Sequence, residues 1–104
     1  MMRKGIEELK KKYVKALLDH FHEHNRGKNW GVESIRELFR LNEERGPDQF
    51  IHISELEQAG IPFGITRWKS TGVVEKDEGR RAYRIREVFY EPTRQALFEY
   101  AREH

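Results

Sequence analysis

The chain has 104 residues, 37% of them hydrophobic and 37% charged, with no cysteine and a formal net charge of +2. That length builds one core, hence one domain over residues 1–104, and the 12% aromatic content argues against disorder. The missing thiols exclude disulfides, thiolate metal centres and cysteine nucleophiles, and fit a reducing compartment.

Met1 to Lys15 is charged throughout and no apolar run approaches membrane-spanning length, so neither a signal peptide nor a membrane anchor is expected. The expected location is cytoplasmic. The wealth of Glu, Lys and Arg with few Met would also suit a thermophile.

In chain order, Gly5 to His24 (5–25 with its terminator) reads as a helix. Ile6, Leu9, Tyr13, Leu17 and Phe21 recur at three and four residues, and Val14 and Leu18 widen the stripe. Asn25-Arg26-Gly27 should end it. A second helix is expected from Val32 to Glu44 with Ile35, Leu38 and Phe39 inward, stopped by Gly46-Pro47. Phe50-Ile51-His52-Ile53 alternates like a brief strand. Ser54-Glu55-Leu56-Glu57 has the form of a capping box, opening a very short helix that Gly60 closes. Residues 62–70 form another short helix, closed by Gly72. A hairpin follows, Val73–Lys76 and Arg81–Arg86 around Asp77-Glu78-Gly79-Arg80, with Gly79 supplying the positive φ. Pro92 should sit at the start of a last helix, 91–104, with Leu97, Phe98, Tyr100 and Ala101 on its apolar side.

The modest net charge hides segregation. Residues 1–30 carry eight Lys/Arg against four Asp/Glu, residues 31–60 three against seven, residues 61–86 seven against three, and residues 87–104 two against four. Such blocks suit a surface that meets a polyanion; they equally suit solvated faces that pair with one another.

From 31 to 86 the order is helix, short strand, short helix, turn, short helix, strand, turn, strand. Ile65-Thr66-Arg67-Trp68-Lys69-Ser70-Thr71-Gly72-Val73-Val74-Glu75-Lys76 resembles the end of a winged helix-turn-helix recognition helix running through its Gly into the first wing strand. Arg81-Ala82-Tyr83-Arg84-Ile85-Arg86 resembles the returning wing strand. The resemblance covers about half the chain. It implies a mainly α fold with a small β-hairpin, a winged helix-turn-helix with additional N- and C-terminal helices.

It further implies binding of duplex DNA by a transcription or replication regulator. With Ile65 and Trp68 inward, Thr66, Arg67, Lys69 and Ser70 face out with the chemistry that base edges and phosphates need. On the hairpin, Tyr83 and Ile85 pack inward with Val73 while Ala82 stays outside. Lys76, Arg80, Arg81, Arg84 and Arg86 become the DNA-facing cations of the wing. The terminal helices, with a stripe wider than one small core needs, suggest a homodimer. The rival reading is a winged-helix module that docks protein within a larger complex.

Other chemistry is thin. In Asp19-His20-Phe21-His22-Glu23-His24, His20 and His24, at i and i+4, could share a metal, but no third ligand is evident, and His52 and His104 lie far off in sequence. Gly60-Ile61-Pro62-Phe63-Gly64 lacks the Lys-Ser/Thr of a phosphate loop. Ser54 reads as a cap rather than a nucleophile, and Glu43-Glu44 and Asp77-Glu78 as exposed charges. No enzyme activity, cofactor, metal or small-molecule ligand is expected.

Overall fold

The computed structural model describes residues 2–24, 30–61 and 64–104. Helix α1 (Met2–His24) follows the apolar spacing, but only its C-terminal half enters the core. Val14, Leu18 and Phe21 are buried and Leu17 partly so, whereas Ile6, Leu9 and Tyr13 are 50%, 67% and 42% exposed. The expected terminator Asn25-Arg26-Gly27 lies outside the described residues. Helix α2 (Trp30–Arg45) buries Val32, Ile35, Leu38 and Leu41, with Phe39 at the core's edge. It stops at Gly46, whose φ of 123° suits glycine alone.

Strand β1 (Ile51–His52) runs directly into helix α3 (Ile53–Gln58). Here the expected capping box gives way to a different cap. His52 is the N-cap, its Nδ1 accepting the Ser54 N–H at 3.1 Å, and Ser54 lies inside the first turn. The cause is packing: Ile53 is buried, and drawing it into the helix moves the start ahead of Ser54. Helix α4 (Ile65–Thr71) begins after Gly64, later than the expected 62; Pro62 and Phe63 lie outside the described residues. Gly72 closes α4 in the left-handed conformation, its N–H donating to the Lys69 carbonyl.

Strands β2 (Val74–Lys76) and β3 (Ala82–Ile85) make the expected hairpin. β3 also pairs with β1, giving a three-stranded antiparallel sheet of order β1-β3-β2, with Val74 opposite Ile85 and Ile51 opposite Tyr83. Tyr83 and Ile85 are buried as expected. Ala82 is buried too, against expectation. It sits on the central strand and is paired on both sides, opposite His52 of β1 and with its carbonyl accepting from Asp77 N–H.

Helix α5 (Glu87–Glu103) starts a full turn before Pro92, which lies inside it and buried. Aromatic contacts hold that extra turn. Phe89 packs on Tyr13 with ring centroids 6.0 Å apart, and Tyr90 on Phe39 at 5.1 Å. Pro92 cannot donate to the Val88 carbonyl, and Val88 is exposed, so water can serve that carbonyl instead. Ala96 and Tyr100 form the buried side of α5, while Phe98 and Ala101, expected inward, face solvent.

The most extensive helix contact is between α1 and α5. Lys10 meets Phe89 at one end and His22 meets His104 at the other, so the two helices run in the same direction. Asn42 of α2 is the polar pin of the core. Fully buried, it donates to the carbonyls of Gly46 (3.2 Å) and Gln49 (2.8 Å) and accepts the Ile85 N–H at 3.3 Å. One side chain thereby ties the end of α2, the following loop and the central strand. No described helix is long and apolar enough to cross a membrane.

Candidate nucleic-acid interface

Helix α4 has two apolar anchors in its seven residues, and both are spent inward: Ile65 and Trp68 are buried. The Trp68 ring meets Phe21 edge-on at 5.1 Å, and its Nε1–H donates to the Gly31 carbonyl at 2.6 Å. The indole thus fixes α4 against the first turn of α2. At the other end, Thr71 Oγ1 donates to the Trp68 carbonyl, and the Thr71 carbonyl accepts from Tyr13 Oη at 2.8 Å. Rotation of α4 about its axis would break contacts with two other helices.

With that rotation set, Thr66, Arg67, Lys69 and Ser70 are all exposed, as the i, i+3 spacing of the anchors requires. Ser70 Oγ donates to the Thr66 carbonyl at 3.2 Å, so this hydroxyl is engaged with its own helix. Arg67 and Lys69 have neither ion-pair nor hydrogen-bond partner among the described residues.

The hairpin cations divide into two groups. Lys76 and Arg81 are exposed and likewise unpaired among the described residues. The others are held by nearby carboxylates. Arg80 binds Asp77 through Nε at 2.7 Å and Nη2 at 2.5 Å, and Arg86 lies 3.8 Å from Glu75. Arg84 is the most committed. It binds Glu75 at 2.9 Å, donates to the Asp48 carbonyl at 2.6 Å, and stacks 4.3 Å above the Phe50 ring. Its guanidinium clamps the loop before β1 to the outer face of the sheet, and the sequence alone offered no sign of this.

Elsewhere the charge blocks pair internally. Glu33 joins Arg36, Glu37 and Glu44 flank Arg40, Glu55 joins Arg45, and Glu43 joins Arg94. On α1, Lys11 and Lys15 reach across to Glu99 and Glu103 of α5. Outside α4 and the hairpin, among the residues whose side chains are described, Lys12 and Arg102 also lack a carboxylate, and Arg102 stacks on Phe98. The reading of the charge blocks as faces that pair with one another thus holds for most of the described cations. Most blocks neutralise themselves, and the 61–86 block keeps a residue of free cations.

His20 and His24 stack with centroids 4.2 Å apart, and His24 Nδ1 is within 2.9 Å of the His20 carbonyl. Comparison with protein-family models, with curated proteins and with solved structures gave no match to this chain.

Proposed function

We propose that the chain is a winged helix-turn-helix protein that binds duplex DNA in the cytoplasm, as a small transcription or replication regulator rather than an enzyme. The observation that carries this reading is the placing of Arg67, Lys69, Lys76 and Arg81. Most cations with described side chains are paired; besides Lys12 and Arg102 on the outer helices, these four are not, and they gather on one short helix and the hairpin beside it. The order α2, β1, α3, α4, β2, β3 with a β1-β3-β2 sheet supports the winged-helix assignment.

Roles follow from the chemistry. Arg67 is the base-edge reader, because its planar fork pairs both acceptors of a guanine, with Thr66 and Ser70 beside it for smaller contacts. Lys69, Lys76 and Arg81 are phosphate contacts, and Arg80 and Arg86 join them by exchanging Asp77 and Glu75 for phosphate. Arg84 is assigned to the fold instead. The polar, cationic outer face of α4 favours DNA over a protein-docking module, which would need apolar surface there. The exposed Ile6, Leu9 and Val88 on the terminal helices support a homodimer formed through them.

Fluorescence anisotropy against random and genomic duplexes at several salt concentrations tests the reading. Three to five neutralised phosphates per chain give a slope of log affinity on log salt of roughly −3 to −4.5. Arg67→Ala should cost ~1–3 kcal/mol at a preferred site and much less on random DNA, whereas Lys69→Ala should weaken both alike. Arg84→Ala serves as the control that spares binding. A slope near zero removes DNA as the ligand, and light scattering at one chain mass of 12.5 kDa removes the dimer.

A further inference from the structure

The seam between α1 and α5 gathers ligating groups that the proposed DNA binding does not use. Asp19 lies on α1; Glu103 ends α5 and His104 follows it. One carboxylate oxygen from each acid and one ring nitrogen of His104 all lie within 4.8 Å of one another. His104 Nε2 is 3.7 Å from Asp19 Oδ1. The His22 ring stacks on His104 at 4.1 Å, and His22 Nδ1 is 2.6 Å from Tyr100 Oη. These contacts set the imidazole of His104 against the seam.

We propose that Asp19, Glu103 and His104 form a site for one divalent transition-metal ion, zinc being the representative case, with water completing the coordination. Ligands of such an ion sit about 2.0–2.2 Å from it, and so at most about 4.4 Å from one another. Small side-chain rotations close the remaining gap. Two hard carboxylates joined by one borderline imidazole suit zinc or its neighbours; calcium requires six to eight oxygens, and cuprous copper prefers sulfur.

A cation already marks the place where the acids converge. The Lys15 ammonium binds Asp19 at 2.9 Å and also Glu103. One ammonium facing two carboxylates leaves a net negative charge, and the flexible lysine stem can swing its head into solvent when the ion enters. Metal and Lys15 are thus competitors for the same oxygens. The ion would staple α1 to α5, raising stability through a cross-link between residues far apart in sequence.

The test is titration of the full-length chain with zinc, followed by calorimetry and by thermal melting. Uptake of one ion per chain and a melting temperature raised by several degrees are expected. His104→Ala and Asp19→Asn should each weaken binding at least about tenfold. Lys15→Met should tighten it, an outcome that general damage to the seam would not produce. Binding should be lost in acid, since all three ligands must be deprotonated. A His20→Ala/His24→Ala double variant should bind as the parent does. No uptake overturns the proposal. So does uptake that His104→Ala and Asp19→Asn leave unchanged, or that the His20/His24 pair alone abolishes.

Discussion

Replacing Asn42 by Ala removes one side chain and leaves three segments of backbone to find other partners. The Ile85 N–H loses its acceptor at a fully buried position where water cannot substitute. An orphaned buried donor costs about 1–3 kcal/mol. The carbonyls fare better: Gly46 keeps the Gln49 N–H at 3.1 Å, and Gln49 is exposed enough for water to replace the lost amide. Adding the small cavity, the expected loss is about 2–3 kcal/mol, a large share of the ~5–15 kcal/mol typical of a domain. Urea unfolding followed by circular dichroism measures it, with an unchanged m-value showing that two-state behaviour persists. Asn42→Asp separates the contributions, because it keeps an acceptor for Ile85 but turns a carboxylate on two carbonyls. Amide exchange at Ile85 should therefore accelerate more in the Ala variant than its global destabilisation accounts for. A loss below ~0.5 kcal/mol for Asn42→Ala would refute the pin.

Trp68→Ala should cost ~3–5 kcal/mol, and Trp68→Phe should still lose the bond to the Gly31 carbonyl while keeping most of the packing; chemical denaturation ranks the two. Arg84→Ala should lower stability by about 1–2 kcal/mol by freeing the loop from the sheet, whereas Arg81→Ala should leave the melting temperature unchanged. The hydrogen bond from Arg45 holds the Glu55 carboxyl below its ordinary 4.5. Its stabilisation is thus fully present above that pH and disappears as pH falls through the depressed folded value, so the stability gap between the parent and Glu55→Gln should close on acidification.

Periodicity and punctuation made much of this fold legible. The spacing of Ile65 and Trp68 correctly oriented α4, and Gly72 and Gly79 marked a helix end and a turn because their backbone conformations suit glycine. The stripe on α1 was legible as a pattern, but its depth was not. Whether Leu9 or Leu18 is covered depends on where α5 lies, which no local pattern states. The missed features share that cause. Ser54 has the right neighbours for a cap, yet burial of Ile53 moved the helix start to His52. Pro92 is a good first-turn residue, yet Phe89 and Tyr90 found aromatic partners on other helices and drew the turn before it into α5. Ala82 was placed outside by alternation, which cannot see that β3 has neighbours on both sides. For the candidate interface, residue types on α4 were readable. The division of the hairpin arginines into free and committed was not, because Asp48 and Phe50 come from a distant part of the chain.

The pairing of α1 with α5 also bears on how the molecule comes to be made. Lys11 and its partner Glu99 are separated by 88 residues, so the first helix leaves the ribosome long before its principal support exists. Until then Val14, Leu18 and Phe21 have only part of their eventual cover, and an amphipathic helix in that position is a target for chaperones or for a neighbouring nascent chain. The sheet and α4 can assemble from contacts closer in sequence, with the docking of the two outer helices as the late, slow closure. A lesion in α5 would then show itself at the opposite end of the sequence, as aggregation through α1.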